Sequence, residues 1–211
     1  MTTDSEPLPT FSAAQLAYRA AWDNPAHTRF ELPPVNVNKV LRERYSLRPA
    51  KALTRTAIWD MERKKAWDPR TYIPYVLSEG GSWGREMLPD GERFSRASMQ
   101  KGWIAPGEGR VLEDVYLSDA TQSIVFLGRE RMRGPSGEDL RASDFQRIFH
   151  VAHGVGGSED EPLNLWSIVL LTAAEDRRYH RPFEQMVAAG WLPGFIEIYI
   201  AKDLGVALSR V

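Results

Sequence analysis

The chain has 211 residues, 43% of them hydrophobic, with 27 Lys and Arg against 28 Asp and Glu and no cysteine. That length and apolar supply suit one hydrophobic core, and the missing thiols exclude disulfide frameworks, thiolate metal centres and cysteine nucleophiles. A net charge of −1, with no long block of either sign, argues against a nucleic-acid partner.

Residues 1–10 are polar and proline-containing and are expected to form a flexible tail ahead of one domain, 11–211. The opening Met-Thr-Thr-Asp-Ser-Glu-Pro has neither the basic nor the apolar part of a secretion signal. The longest apolar run, Ser167 to Ala174, is far short of the roughly 20 residues that cross a bilayer. A cytoplasmic protein without a membrane partner is the expectation.

A first helix is predicted from Ser12, with Leu16 and Ala20 four apart and Tyr18 and Trp22 on an adjoining stripe, stopping at Asn24-Pro25. An extended Leu-Pro-Pro-Val stretch then leads into a short helix, Asn38 to Tyr45, ended by Pro49. A third helix covers Thr54 to Trp67, where Ile58, Met61 and Lys65 share a stripe and Glu62, Arg63 and Lys64 are read as facing away. Pro74 makes Tyr72 to Leu77 an edge strand or an irregular crossing.

From Arg85 the hydrophobic period changes to two, and a turn at Leu88 to Gly91 opens strands at 94–104, 111–117 and 124–132. Phe145 to Val155 and Leu163 to Leu171 flank an acidic, glycine-containing loop and read as a long hairpin. The second of the pair is apolar on both faces, which makes it the candidate for the most buried strand. Helical runs at 175–189 and 195–208 close the chain. Together these predict an α+β fold with a curved antiparallel sheet of five or six strands. Helices cover its concave face as in a cone-like α+β barrel, and a helical C-terminal extension follows.

A helical front followed by a bent antiparallel sheet, from Ser12 to Leu171, resembles the nuclear transport factor 2-like (SnoaL-like) superfamily. Chain size, abundant aromatics and absence of cysteine are similar to those of the bacterial lignin-dimer, or diarylpropane-type, formaldehyde lyases. That resemblance implies a base acting on a substrate hydroxyl so that a carbon–carbon bond breaks and an aldehyde leaves. The rival architecture is the START-like helix-grip fold, which wants one continuous C-terminal helix where Gly190, Pro193 and Gly194 interrupt.

Seven Trp, seven Tyr and eight Phe supply rings for an aromatic-lined cavity. Of the four histidines, His150 and His153 are three apart and point to opposite faces of a strand, which disfavours a metal site. Phe145, Arg147, Phe149, Val151 and His153 would share the more apolar face. On that reading His153 is the base, Arg147 the oxyanion partner and Tyr72 the orienting donor, with Asp60, Tyr75 and His150 in reserve. Asp60, four residues before Lys64, also reads simply as half of a helical ion pair. Tyr75, Trp59, Phe149 and Trp103 are the candidate substrate-binding rings. No dinucleotide loop, phosphate loop, nucleophile elbow or metalloprotease motif occurs. The expected function is therefore a cofactor-free lyase or isomerase acting on a hydrophobic aromatic, phenolic molecule, with a non-catalytic START-like carrier as the alternative. Trp191, Phe195, Ile196, Tyr199 and Ile200 in the last helical run further predict a homodimer or higher homo-oligomer.

Overall fold

The computed structural model describes residues 6–104 and 106–211. In chain order the elements are α1 (Phe11–Asp23), β1 (Thr28–Asn36), α2 (Val37–Arg44), β2 (Tyr45–Arg48), α3 (Arg55–Trp67) and α4 (Pro69–Tyr72). The strands β3 (Leu77–Leu88), β4 (Gly91–Lys101), β5 (Glu108–Ser118), β6 (Ser123–Arg129), β7 (Arg131–Arg133), β8 (Asp139–Arg141), β9 (Phe149–Gly157) and β10 (Pro162–Leu170) follow. The chain ends with α5 (His180–Ala189), α6 (Gly194–Lys202) and β11 (Ala207–Arg210).

One antiparallel sheet of seven strands runs in the order β1-β10-β9-β6-β5-β4-β3, while β2–β11 and β7–β8 form separate two-stranded pairs. The fold class is α+β, as expected. The two strands beyond the predicted set are the edges. β1 carries Pro33 and Pro34 where its register with β10 shifts, and such residues fit only at an edge because they cannot donate to a ladder. β3 hides its period behind Gly80, Gly81 and Gly84. β1 also precedes α2 and α3 and pairs with the last strand of the sheet, so the order is not a helical front followed by strands, the order on which the SnoaL-like resemblance rests.

Alternation divides the sheet into two faces. Phe94, Val115, Leu117, Ile124, Phe126, Phe149, Val151, Ile168 and Leu170 face α2, α3, α5 and α6 in the main core. Tyr116, Val125, Leu127 and Val169 face α1 in a second core with Phe11, Ala14, Tyr18 and Ala21. Of the two stripes noted on α1, the one with Leu16, 66% exposed, faces outward, and Tyr18 of the adjoining stripe is buried. The helix starts one step earlier than its sequence indicates, because Thr10 accepts from the Ala13 amide, while Ser12 binds the Asp90 carboxylate through both its amide and its hydroxyl. Leu8, within the expected tail, donates its amide to the Tyr116 hydroxyl at 2.8 Å. Residues 1–5 of that tail lie outside the described residues.

The longest buried run lies in β5 rather than β10, since Val111 to Ser118 is buried without a break. Its charged pair disguises this: Glu113 is neutralised by Arg96 on the inner face and Asp114 by Arg129 on the outer one. The C-terminal helical region is broken where Gly190 takes a left-handed φ of 68° and Pro193 precedes α6. Ile196, Tyr199 and Ile200 of α6 are buried against the chain's own core, so the apolar cluster that motivated an oligomer is covered within one copy.

Candidate functional site

Leu32 on β1 and Gln100 on β4 line the same cavity although their strands lie five steps apart in the sheet. A flat sheet would separate them by about 24 Å, so the sheet must curl around the space. The cavity measures about 210 Å³. Its walls are Trp103, Phe126, Phe149, Val151, Trp166 and Ile168 from the sheet side, with Phe183 from α5 and Phe195 from α6. Trp103 lies 4.7 Å from Phe149 in a tilted pair, and Phe183 packs edge to face with both Trp103, at 5.3 Å, and Trp166, at 5.1 Å. Tyr75 and Met186, 46% and 39% exposed, mark the mouth.

Charged groups interrupt this apolar wall at two places. The first is held by α3, whose inner face presents Glu62 and Lys65 one turn apart. Lys65 Nζ lies 2.5 Å from Glu62 Oε2, 2.9 Å from His153 Nδ1 and 3.9 Å from the Phe195 ring centroid. Asn164 on β10 donates to Glu62 Oε1 at 2.7 Å. The second is the cross-strand pair of β4 and β5, in which Arg96 donates to Glu113 Oε2 at 2.6 and 2.8 Å and lies 4.5 Å from the centre of the Phe126 ring. Lys65 and Arg96 against Glu62 and Glu113 leave no net charge on the wall.

Burial pushes the Glu62 carboxyl upward, but the charge of Lys65 outweighs it and holds the group well below the ordinary range. Desolvation pulls the Lys65 amine below its usual value, with Glu62 opposing. Desolvation and then Lys65 hold His153 well down, so its ring is neutral near neutral pH. His153 Nδ1 lies 2.9 Å from Lys65 Nζ and 3.3 Å from Glu62 Oε2; the charged lysine can only donate, so beside it Nδ1 is the acceptor and the neutral ring carries its proton on Nε2. Phe126, Trp166 and Phe195 surround the ring, with centroids 5.7, 6.0 and 6.0 Å away, and Nε2 has no hydrogen-bond partner among the described residues. His153 therefore presents a donor.

Of the residues singled out in the sequence, His153, Tyr75, Phe149 and Trp103 line the cavity. Arg147 does not. The regular strand starts only at Phe149, so parity does not carry back to 147, and Arg147 is exposed beside a separate surface cleft with Ser143 and Phe145. Tyr72 donates instead to Asp203 at 2.9 Å. Asp60 pairs with Lys64 at 2.8 Å and accepts from Tyr199 at 2.9 Å, and Trp59 donates to Asp119 at 2.8 Å. His150 occupies the outer face, where its Nδ1 accepts from the Gly128 amide at 3.0 Å, and burial lowers its pKa to about 4.

Sequence reasoning missed Glu62, Arg96, Gln100, Glu113 and Asn164. A signal existed for the first, because a lysine on an apolar stripe needs a partner within reach, and Glu62 is three residues away. Among the described residues no three His, Asp or Glu side chains converge in a way that could hold a metal ion, and no helix is long and apolar enough to cross a membrane.

No family model and no curated protein matches the chain. Solved structures similar to it include the Zhui aromatase/cyclase from Streptomyces sp. R1128, at 9% identity and a TM-score of 0.48 over 83% of this chain and 95% of that one. Ara h 8.0201 is 11% identical, with a TM-score of 0.48 over 85% and 99% of the two chains. Major latex-like protein 151 from Panax ginseng is 11% identical, with a TM-score of 0.44 over 79% and 99%.

Proposed function

We propose that the chain binds a compact, uncharged hydrophobic molecule carrying one aromatic ring, gripped between the curled sheet and α3, α5 and α6 as in a START-like carrier. The supporting observation is the cavity itself: about 210 Å³, walled by rings, with one imidazole donor set among them. An apolar cavity of about 150 Å³ accepts benzene, so this one has room for a substituted ring. The wall's charges cancel, which favours a neutral ligand whose carbonyl or phenolic oxygen accepts from His153 Nε2.

Trp103 and Trp166 supply the readout. Titration with para-cresol is expected to quench tryptophan fluorescence saturably. Val151→Phe, which fills part of the cavity, should weaken binding by about tenfold, or roughly 1.4 kcal/mol. Quenching that never saturates, or that is indifferent to Val151→Phe in a folded variant, would refute this reading.

The meeting of imidazole, amine and carboxylate at the wall favours a second reading, a cofactor-free lyase or isomerase with His153 as the proton-transferring group and Arg96 in the place first considered for Arg147. A two-ring lignin dimer exceeds the cavity as it stands, so an aldehyde-releasing reaction here calls for a single-ring substrate or an opened mouth. On a phenolic substrate that turns over without added metal or nucleotide, His153→Ala would cost about a hundred- to ten-thousandfold in rate. A folded His153→Ala variant with unchanged turnover would exclude this reading.

A further inference from the structure

Among the described residues, Lys65 is the only lysine that lines the cavity. Lys39, Lys51, Lys64, Lys101 and Lys202 are all exposed. A buried ion pair contributes little to stability compared with apolar residues of similar size, yet here one is kept in the wall of an aromatic-lined space, its amine resting against the Phe195 ring and touching both a carboxylate and an imidazole. These are the groups that condensation of an amine with a carbonyl compound requires: a nucleophile, a neighbour to take and return its proton, and a donor for the carbonyl oxygen.

We infer that Lys65 captures an aromatic aldehyde in this cavity as a covalent iminium, an inference that rests on the proposal that the cavity admits single-ring ligands. The Lys65 ammonium passes a proton to Glu62 across their 2.5 Å contact. The free amine then attacks the aldehyde carbon, forming the carbon–nitrogen bond while the carbonyl π pair moves to oxygen. The oxygen takes up the proton shed by nitrogen, and the carbinolamine hydroxyl leaves as water with the proton held by Glu62. The sum is an ammonium and an aldehyde giving an iminium and water, with charge unchanged. That balance suits the site, because Glu62 is fully buried and has a cation beside it whenever it is ionised, first the ammonium and then the iminium. The other charged groups here, Arg96 and Glu113, are paired with each other, and His153 is the donor placed to meet the carbonyl oxygen. The aliphatic stem of Lys65 and the ring of Phe195 keep bulk water from the carbon–nitrogen bond.

The test is reductive trapping. The protein is incubated with stoichiometric para-hydroxybenzaldehyde and cyanoborohydride, and the modified lysine is located by tandem mass spectrometry. One adduct per chain is expected, at Lys65 in preference to Lys64 by at least about tenfold, since a desolvated amine is the better nucleophile. Lys65→Arg keeps a cation for Glu62 but removes the amine, and should abolish the adduct in a chain whose circular dichroism is unchanged. Labelling spread over the exposed lysines, or an unmodified Lys65, overturns the inference. Parallel titration with para-hydroxybenzyl alcohol separates the two levels: saturable binding of the alcohol without a Lys65 adduct refutes only the covalent step, whereas loss of both refutes the ligand-binding reading as well.

Discussion

Glu62, Lys65 and His153 show why charge at a single position resists interpretation from sequence. Helical spacing places Lys65 on the buried stripe with Ile58 and Met61, and so it proves. It cannot say that Glu62 turns inward too, because that depends on a lysine and a histidine that meet it only in the folded chain. Arg96 was hidden for a related reason: alternation along β4 reads Arg96, Ser98 and Gln100 as the wet face, and only Glu113, directly opposite on β5, makes burial tolerable. The dependence is measurable. Glu62→Gln leaves Lys65 buried without its counter-charge and is expected to cost about 3–5 kcal/mol in denaturant unfolding, whereas the double change Glu62→Gln with Lys65→Met should recover much of the loss. Equal losses in the single and double variants would show that the ion pair is not what the fold depends on.

Elements were legible where the hydrophobic period is clean and hidden where Gly or Pro breaks it. The strands at 94–104, 111–117, 145–155 and 163–171 reappear as β4, β5, β9 and β10 with shifted ends. The run 124–132 ends at Arg129, where β7 leaves the sheet to pair with β8. β1 escaped because Pro33-Pro34 argues against any strand but an edge. The last helical run ends at Lys202, and residues 207–210 form β11 against β2, a pairing between segments far apart in sequence that no local pattern encodes. The corner between α5 and α6 carries its own prediction. A Cβ at Gly194 would sit 2.7 Å from the Tyr75 ring, so Gly194→Ala should push that ring off the mouth. With para-cresol the ligand dissociation rate is expected to rise, with a stability loss of about 1–3 kcal/mol. An unchanged dissociation rate in stopped flow would mean that Tyr75 does not close the entrance.

At the scale of the molecule, two layers of helix sandwich one sheet, with α1 outside and the remaining helices inside, and each face buries a neutral histidine. For His150 the ordinary value of 6.5 falls to about 4 because burial disfavours its charged form. His153 shifts in the same direction. The unfolded chain binds these protons as pH drops below the ordinary value while the folded chain refuses them. Stability is therefore full above about pH 6.5 and declines toward pH 4, by up to about 1.4 kcal/mol per pH unit for each histidine. Glu62, held low in the fold, adds its own loss further into acid. Thermal unfolding should accordingly shift to lower temperature across that window, and His150→Gln should flatten the slope by roughly half. A Tm that is constant from pH 7 to 4.5 would contradict the burial of both rings.

The α+β class and the aromatic cavity were both readable from composition and period. The curvature of the sheet was expected too, but the amount of space left inside it was not, because that is set by how α3, α5 and α6 pack over strands distant in sequence rather than by any one segment. A crystal structure of the complex with para-cresol examines that space directly. The ring should lie between Trp103, Phe126, Phe149 and Trp166, with its oxygen within hydrogen-bond distance of His153 Nε2. A ligand found only on the surface, or a cavity closed by collapse of Phe183 and Phe195 onto Val151, would contradict binding in the cavity.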